Sequence, residues 1–287
     1  MTDGDTRIGI EVLGASLYGA RVEYGTGRPE VTVLTTIETG EAAEHQLLQG
    51  GRVAVSVADD RVIVKPLSLS ANSGDIMTRA RFEMSQSALE DENRFLFDII
   101  PTAIENRFVG LMLRRELLDR EPGWLRGEEH MPALAAPRYR MRAAALAEGY
   151  LGFCRQTGGD FVCLADFTGR SVSMALIYRG KTVDLIGIPV GGGELSSTED
   201  CRTVAAELKT LLSYKKASLF QSGITTPMSR MVALGENFGQ SLKTALENQF
   251  SIEVTTPAVN TGFFKAGVDP GDVPAERYLV ALGLTAN

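Results

Sequence analysis

Ile8-Gly9-Ile10-Glu11-Val12-Leu13-Gly14-Ala15-Ser16-Leu17-Tyr18 begins as an apolar strand, reaches a carboxylate and turns back through small residues. Phe161-Val162-Cys163-Leu164-Ala165-Asp166-Phe167-Thr168-Gly169 repeats that design 150 or so positions later, as read directly from the chain. Each stretch opens a meander. Residues 8–12, 18–24 and 31–37 read as three strands separated by Gly14-Ala15-Ser16 and by the Gly25 to Pro29 turn. Residues 160–166, 171–178 and 182–189 read the same way, separated by turns at 167–170 and 179–181. Two halves with one order of events predict an internally duplicated α/β protein.

Between and after the meanders the pattern alternates. A short helix is expected over 41–48, then a Gly50-Gly51 break, then two Val-rich strands, 52–57 and 61–67, joined as a hairpin through Ala58-Asp59-Asp60. Ile76/Met77, Ala80, Met84 and Ala88 recur at helical spacing behind a cap from Asn72, Ser73 or Asp75. Strands are expected at 95–100 and 107–113, a charged helix start at 114–120, a loop over 121–137 and an Ala-rich helix at 141–153. After the second meander, Gly191-Gly192-Gly193 leads to a helix at 198–214. A buried strand follows at 231–234, then a loop at 235–239 and a helix at 240–250. A strand at 252–255 and a helix at 274–284 close the chain.

Composition narrows the function. With 287 residues, 44% hydrophobic and 23% charged, the chain can build sizeable cores without metals or disulfides. A formal charge of −7 with no concentrated basic surface argues against a nucleic-acid partner. No apolar run approaches the ~20 residues that span a bilayer, so direct membrane insertion is not expected. The polar, acidic start is unlike a secretory signal, and Cys154, Cys163 and Cys201 have no metal spacing, which fits a reducing, cytoplasmic compartment. His45 and His130 both sit in polar contexts, and Gly-x-Ser-x-Gly, Gly-Lys-Ser/Thr and His-Glu-x-x-His are absent, which disfavours the common hydrolases and metalloenzymes.

This order of pieces resembles the actin-like ATPase superfamily, two ribonuclease-H-like lobes with a small inserted subdomain, and within it the PilM family of type IV pilus assembly. Relatives in type II secretion and FtsA stand further off. The resemblance rests on Ile8-Gly9-Ile10-Glu11, the two Val-rich strands and the following helix, Cys163-Leu164-Ala165-Asp166-Phe167-Thr168-Gly169, Ile188-Pro189-Val190-Gly191-Gly192, Val232-Ala233-Leu234-Gly235 and the closing Ala281-Leu282-Gly283-Leu284. It implies a first lobe over 1–155 with an insertion at about 45–120, and a second lobe over 156–287 ending in the 274–284 helix.

By that resemblance the nucleotide contacts fall on Glu11, Gly14 and Ser16 in the first turn, and on Asp166, Thr168 and Gly169 in the second. Gly191, Gly192 and Gly235 follow in the glycine loops. Such turns bind phosphate through inward backbone N–H groups and hold hydrated magnesium on the carboxylates. The chain departs from the family pattern: Leu13 stands where a glycine belongs, Tyr18 where a lysine belongs, Thr168 where another glycine belongs, and Glu236 interrupts the last loop. Weak or absent binding of ATP and Mg is therefore expected in place of hydrolysis. Asp166 and Glu11 can equally be strand-end structural groups, and Ser16 and Thr168 are turn formers first.

The resemblance further implies a scaffold held at the inner membrane through the cytoplasmic segment of a membrane-anchored pilus or secretion protein. The groove would lie over 52–88, lined by Val53, Val55, Val62, Val64, Met77 and Met84, although both methionines fit a core as well. The competing readings are an active, self-assembling actin-like ATPase, a small-molecule kinase of the superfamily, and an unrelated two-domain ligand-binding module. Homo-oligomerisation is left open.

Overall fold

In the computed structural model the described residues are 5–38, 46–48, 50–70, 75–88, 90–120, 137–155, 160–169, 171–189, 195 and 197–286. The strands in chain order are β1 (Asp5–Leu13), β2 (Ser16–Tyr24), β3 (Glu30–Glu38), β4 (Arg52–Val57), β5 (Val62–Ser68), β6 (Phe95–Pro101) and β7 (Arg107–Arg114). They continue as β8 (Arg138–Met141), β9 (Phe161–Asp166), β10 (Ser171–Tyr178), β11 (Lys181–Pro189), β12 (Arg230–Leu234) and β13 (Glu253–Thr255). The helices are α1 (Ile76–Ser85), α2 (Arg142–Phe153), α3 (Thr198–Gln221), α4 (Gln240–Phe250) and α5 (Leu279–Leu284).

Both meanders form, and each seeds a five-stranded sheet. The first runs β3-β2-β1-β4-β8 and the second β11-β10-β9-β12-β13, the same order twice. In each, the opening strand pairs antiparallel with its hairpin partner on one side and parallel with a later strand on the other. A third sheet, β5-β7-β6, stands apart. The duplication expected from the two acid-tipped stretches is thus present at the level of topology.

The chain divides into two compact units: Met1–Val62 with Leu113–Gln156 and Pro257–Asn287, and Ile63–Met112 with Thr157–Thr256. In the first unit Ile8, Ile10, Leu17, Val53 and Val55 pack with Leu47 and Leu48. Ala20, Val22, Val31 and Leu34 pack with Phe153 of α2, with Tyr278 and with Ala281 and Leu282 of α5. The alternation within β2 sends Leu17 into one cluster and Ala20 and Val22 into the other. In the second unit the buried faces of β9 and β10 pack against α3 and α4 through Phe161, Met174, Leu208, Leu212 and Leu246. The three-stranded sheet buries Leu67, Phe95 and Met112 against Ala80 and Met84 of α1.

Several expectations are corrected. The strands at 52–57 and 61–67 are not a hairpin: β4 pairs parallel with β1 and β8, whereas β5 belongs to the small sheet. Every residue of β4 after Arg52 is buried, the pattern of a central parallel strand covered on both faces. The chain segment 257–287 belongs to the first unit, not to the second lobe, because α5 packs on α2 and β1. The 274–284 helix is a 3-10 turn, Ala275–Tyr278, followed by α5. The expected helix start at 114–120 is a 3-10 segment, Arg115–Arg120, and β8 fills the gap between the expected loop and helix and takes Met141 from the latter. Of the expected 41–48 helix only the 3-10 turn Gln46–Leu48 falls within the described residues. Residues 121–136 of the expected 121–137 loop lie outside them. α3 runs on to Gln221, past the expected 214, and starts at a capping box in which Ser197 Oγ accepts from Asp200 N and Asp200 Oδ2 accepts from Ser197 N. Asp75 is the cap of α1, accepting from Met77 N at 3.0 Å.

Candidate functional site

The first turn is built by the β1–β2 ladder. Its register closes on Leu13 opposite Ser16, which leaves Gly14-Ala15 as a two-residue turn. Gly14 has φ 62°, the left-handed conformation that this turn needs and that glycine adopts without a Cβ clash. Glu11, three residues before Gly14, is 1% exposed. Its Oε1 accepts from Arg142 Nε at 2.5 Å, and the Arg142 side chain is itself 5% exposed. Arg142 is the first residue of α2, so the packing of α2 on the sheet delivers the guanidinium to the end of β1. Asp59, in the turn after β4, accepts from Ala143 N at 2.8 Å and satisfies an orphan N–H at the start of the same helix. Tyr18, where the resemblance implies a lysine, meets Tyr278 edge to face at 5.9 Å, with the Arg277 guanidinium 5.1 Å from its ring centroid. Burial pushes the Tyr278 hydroxyl up from its ordinary pKa, against the opposing effect of its hydrogen bond to Thr36 at 3.0 Å.

The second turn is tied to a neighbouring loop. Asp166 ends β9 at 1% exposed, and its Oδ1 accepts from Thr168 Oγ1 at 2.5 Å. Phe167 N donates to Leu234 O, Asn237 N to Phe167 O, and Asn237 Nδ2 to Gly169 O. The Phe167 and Phe238 rings stack at 6.0 Å. Gly235, with φ 118°, has no room for a side chain: a Cβ there would lie 2.5 Å from the Phe167 backbone and 2.8 Å from Asp166 Oδ1. The glycine that the resemblance assigns to a nucleotide loop is therefore required by the close approach of two protein segments. Gly191 and Gly192 lie outside the described residues.

The first turn does not fit magnesium. A hydrated cation is held by a carboxylate whose charge is available to it, but the Glu11 charge is compensated by a buried guanidinium at hydrogen-bond distance. In the second turn one oxygen of Asp166 is engaged by Thr168, and the carbonyl of Gly169 by Asn237. Arg142 carries no sequence signal beyond standing, after Arg138 and Arg140, directly ahead of an Ala-rich run, and Asn237 none beyond a loop position.

The expected groove residues are dispersed. Val53 and Val55 are 4% and 0% exposed in the core of the first sheet. Met84 is 1% exposed in the core under α1, and Val62, Val64 and Met77 are half-buried. The exposed apolar side chains of the small sheet and its helix are instead Ile63 and Phe82, at 46% and 61%. Val53 and Val55 belong to a strand buried on both faces. Met84 lies on the core face of α1.

No family model and no curated protein matches the chain. Solved structures do. A chain of the PilM-PilN type IV pilus biogenesis complex superimposes with a TM-score of 0.68 at 16% identity, covering 97% of both chains. A Bacteroides thetaiotaomicron protein described as having an actin-like ATPase fold gives 0.54 at 13% identity, covering 90% of this chain and 94% of the other. The cytoplasmic domain of EpsL, an inner-membrane component of the Vibrio cholerae type II secretion system, gives 0.50 at 9% identity, covering 99% and 96%. Together with the duplicated sheet order, these likenesses establish that the chain has the actin-like ATPase fold.

Proposed function

We propose that the chain is an actin-like scaffold of an inner-membrane assembly platform for a type IV pilus or a related secretion system. In this reading it binds a short cytoplasmic segment of a membrane-anchored partner and does not hydrolyse ATP efficiently. The observation that carries the reading is the likeness, over 97% of both chains, to a chain of the PilM-PilN complex. The likeness to the EpsL cytoplasmic domain supports the same setting. The buried Arg142–Glu11 pair supports the absence of efficient hydrolysis, because it places a fixed cation where the fold's chemistry calls for magnesium. Ile63 and Phe82 mark the surface assigned to the partner, whose matching segment is apolar. No helix among the described residues is long and apolar enough to cross a membrane; in this reading, location at the membrane comes through the partner.

Thermal unfolding with and without ATP and magnesium tests the nucleotide part, since a ligand that binds only the native state raises its melting temperature. The expected result is no shift. A shift of several degrees that is lost in Asp166→Ala promotes the ATPase reading. A photo-crosslinking residue at Phe82 tests the scaffold part in cells. Capture of a membrane-anchored protein is expected, and its absence from both Phe82 and Ile63 removes the assigned surface.

A further inference from the structure

In the second unit α3, the 227–228 segment and the end of α4 border a half-open pocket of about 360 Å³ that the nucleotide turns do not touch. Its apolar lining includes Phe161, Leu176, Leu212, Met228 and Ile252. Two lysines, Lys209 and Lys216, are also among its lining residues. They are seven residues apart on α3 and so share a helix face. The Lys209 Nζ donates to the Gln249 carbonyl and lies 5.8 Å from the Phe250 ring centroid, which holds it over the cavity wall.

Residues 208–235 contain Lys209, Lys215, Lys216 and Arg230 and no Asp or Glu, while Glu207 and Glu253 flank this stretch and the lining residue Ile252. Of the other carboxylates, Asp184 pairs with Lys215 at 3.0 Å and Glu247 with Lys243 at 3.9 Å. An apolar cavity with a few convergent polar groups is the usual form of a small-molecule site. At about 30 Å³ per water-sized group, this one has room for about a dozen heavy atoms.

We propose that this cavity binds an amphiphilic carboxylate of about ten carbons, its chain on Phe161, Leu176 and Met228 and its head group on Lys209 and Lys216. The same chemistry is available from a free acid or from the acyl chain and anionic head of a membrane lipid. The site is independent of the scaffold reading.

Sodium decanoate, titrated below its micellar concentration into the full chain and followed by amide NMR, tests the site. Saturable shifts are expected at Lys209, Lys216 and Ile252, with butyrate, too short to fill the cavity, giving none. Lys209→Glu with Lys216→Glu is expected to weaken binding about tenfold or more, the scale of a lost charge-assisted contact. Met228→Trp, which fills the cavity and leaves both lysines, is expected to abolish it. No saturable shifts at those residues, or equal binding by Met228→Trp, overturns the proposal. Phosphatidylglycerol vesicles separate the sources: cosedimentation that Met228→Trp removes assigns the lipid, and decanoate binding without cosedimentation assigns the free acid. Cosedimentation indifferent to Met228→Trp, with no decanoate shifts, leaves only a charged face and also overturns the proposal.

Discussion

The Nε of Arg142 sits 2.5 Å from Oε1 of Glu11, and both side chains are at most 5% exposed. A carboxylate at the end of β1 is thereby neutralised from within the protein, by the first residue of a helix 131 positions away in sequence.

A buried pair of this kind is far more costly to break than to replace, because one partner removed leaves the other charge stranded away from water. Arg142→Met and Glu11→Leu alone are each expected to lose about 3–5 kcal/mol of unfolding free energy. The double variant is expected to recover most of that loss. Urea denaturation of the three variants and the wild type checks this, and equal losses in the double and single variants would contradict it.

Gly283 and Gly149 let α5 and α2 approach at backbone distance. A Cβ on Gly283 would lie 1.7 Å from Ala145 O, and one on Gly149 would lie 2.0 Å from Leu279 O. Gly283→Ala is expected to cost about 3 kcal/mol or more, since the clash is with backbone and not with a flexible side-chain end. Gly152, on the exposed face of the same α2, has nothing within 4 Å of its built Cβ. Gly152→Ala is expected to stabilise by about 0.5–1 kcal/mol through helix propensity. Thermal melts of the two variants should move in opposite directions.

Gly235 separates a packing requirement from a ligand requirement. Because its φ is 118° and its Cβ position is filled by Phe167 and Asp166, Gly235→Ala is expected to destabilise by about 2–3 kcal/mol. Gly239→Ala, at the N-cap of α4 with open space around it, is expected to cost only about 0.5–1 kcal/mol. If Gly235→Ala melts like the wild type, the glycine is not held there by the fold.

The buried thiols set an alkaline limit. Burial pushes Cys163 from 9.0 up to about 12, and burial with the Glu276 charge does the same to Cys154. In the folded state these groups keep their protons where the unfolded chain loses them. Their contribution to stability is therefore complete below pH 9.0 and is lost as the pH rises from there toward about 12. Each thiol in that window lowers the unfolding free energy by about 1.4 kcal/mol per pH unit. Urea melts at pH 8, 9 and 10 should show the decline, and Cys163→Ala should show a shallower one. Thiol reagents at pH 8 should leave both cysteines unmodified until the chain unfolds.

Local pattern was sufficient for the repeated meanders. Alternating apolar residues closed by small-residue turns pair with their immediate neighbours, so β1 to β3 and β9 to β11 are written within about thirty residues each. The helices α1, α2 and α4 are legible for the same reason, as is the acid at the end of each opening strand. Ser197 and Asp200 mark the start of α3, but its last turns follow residues with no stop signal before Gly223.

What local pattern leaves undetermined is every pairing that joins distant segments. β4 and β5 are five residues apart and both Val-rich, yet they enter different sheets, because β4 gains a parallel partner on each side from β1 and β8. The four residues of β8 have no pattern of their own and become a strand only by pairing with β4. The C-terminal segment joins the first unit because glycines at 9, 149 and 283 remove the side chains that would keep α5 from β1 and α2. The sequence by itself determined the duplicated fold and the two acid-tipped turns. Only the tertiary structure decided that a guanidinium from α2 meets Glu11 and that Asn237 and Phe238 close on the second turn. Charge compensation and backbone contact depend on distances that the chain order does not contain.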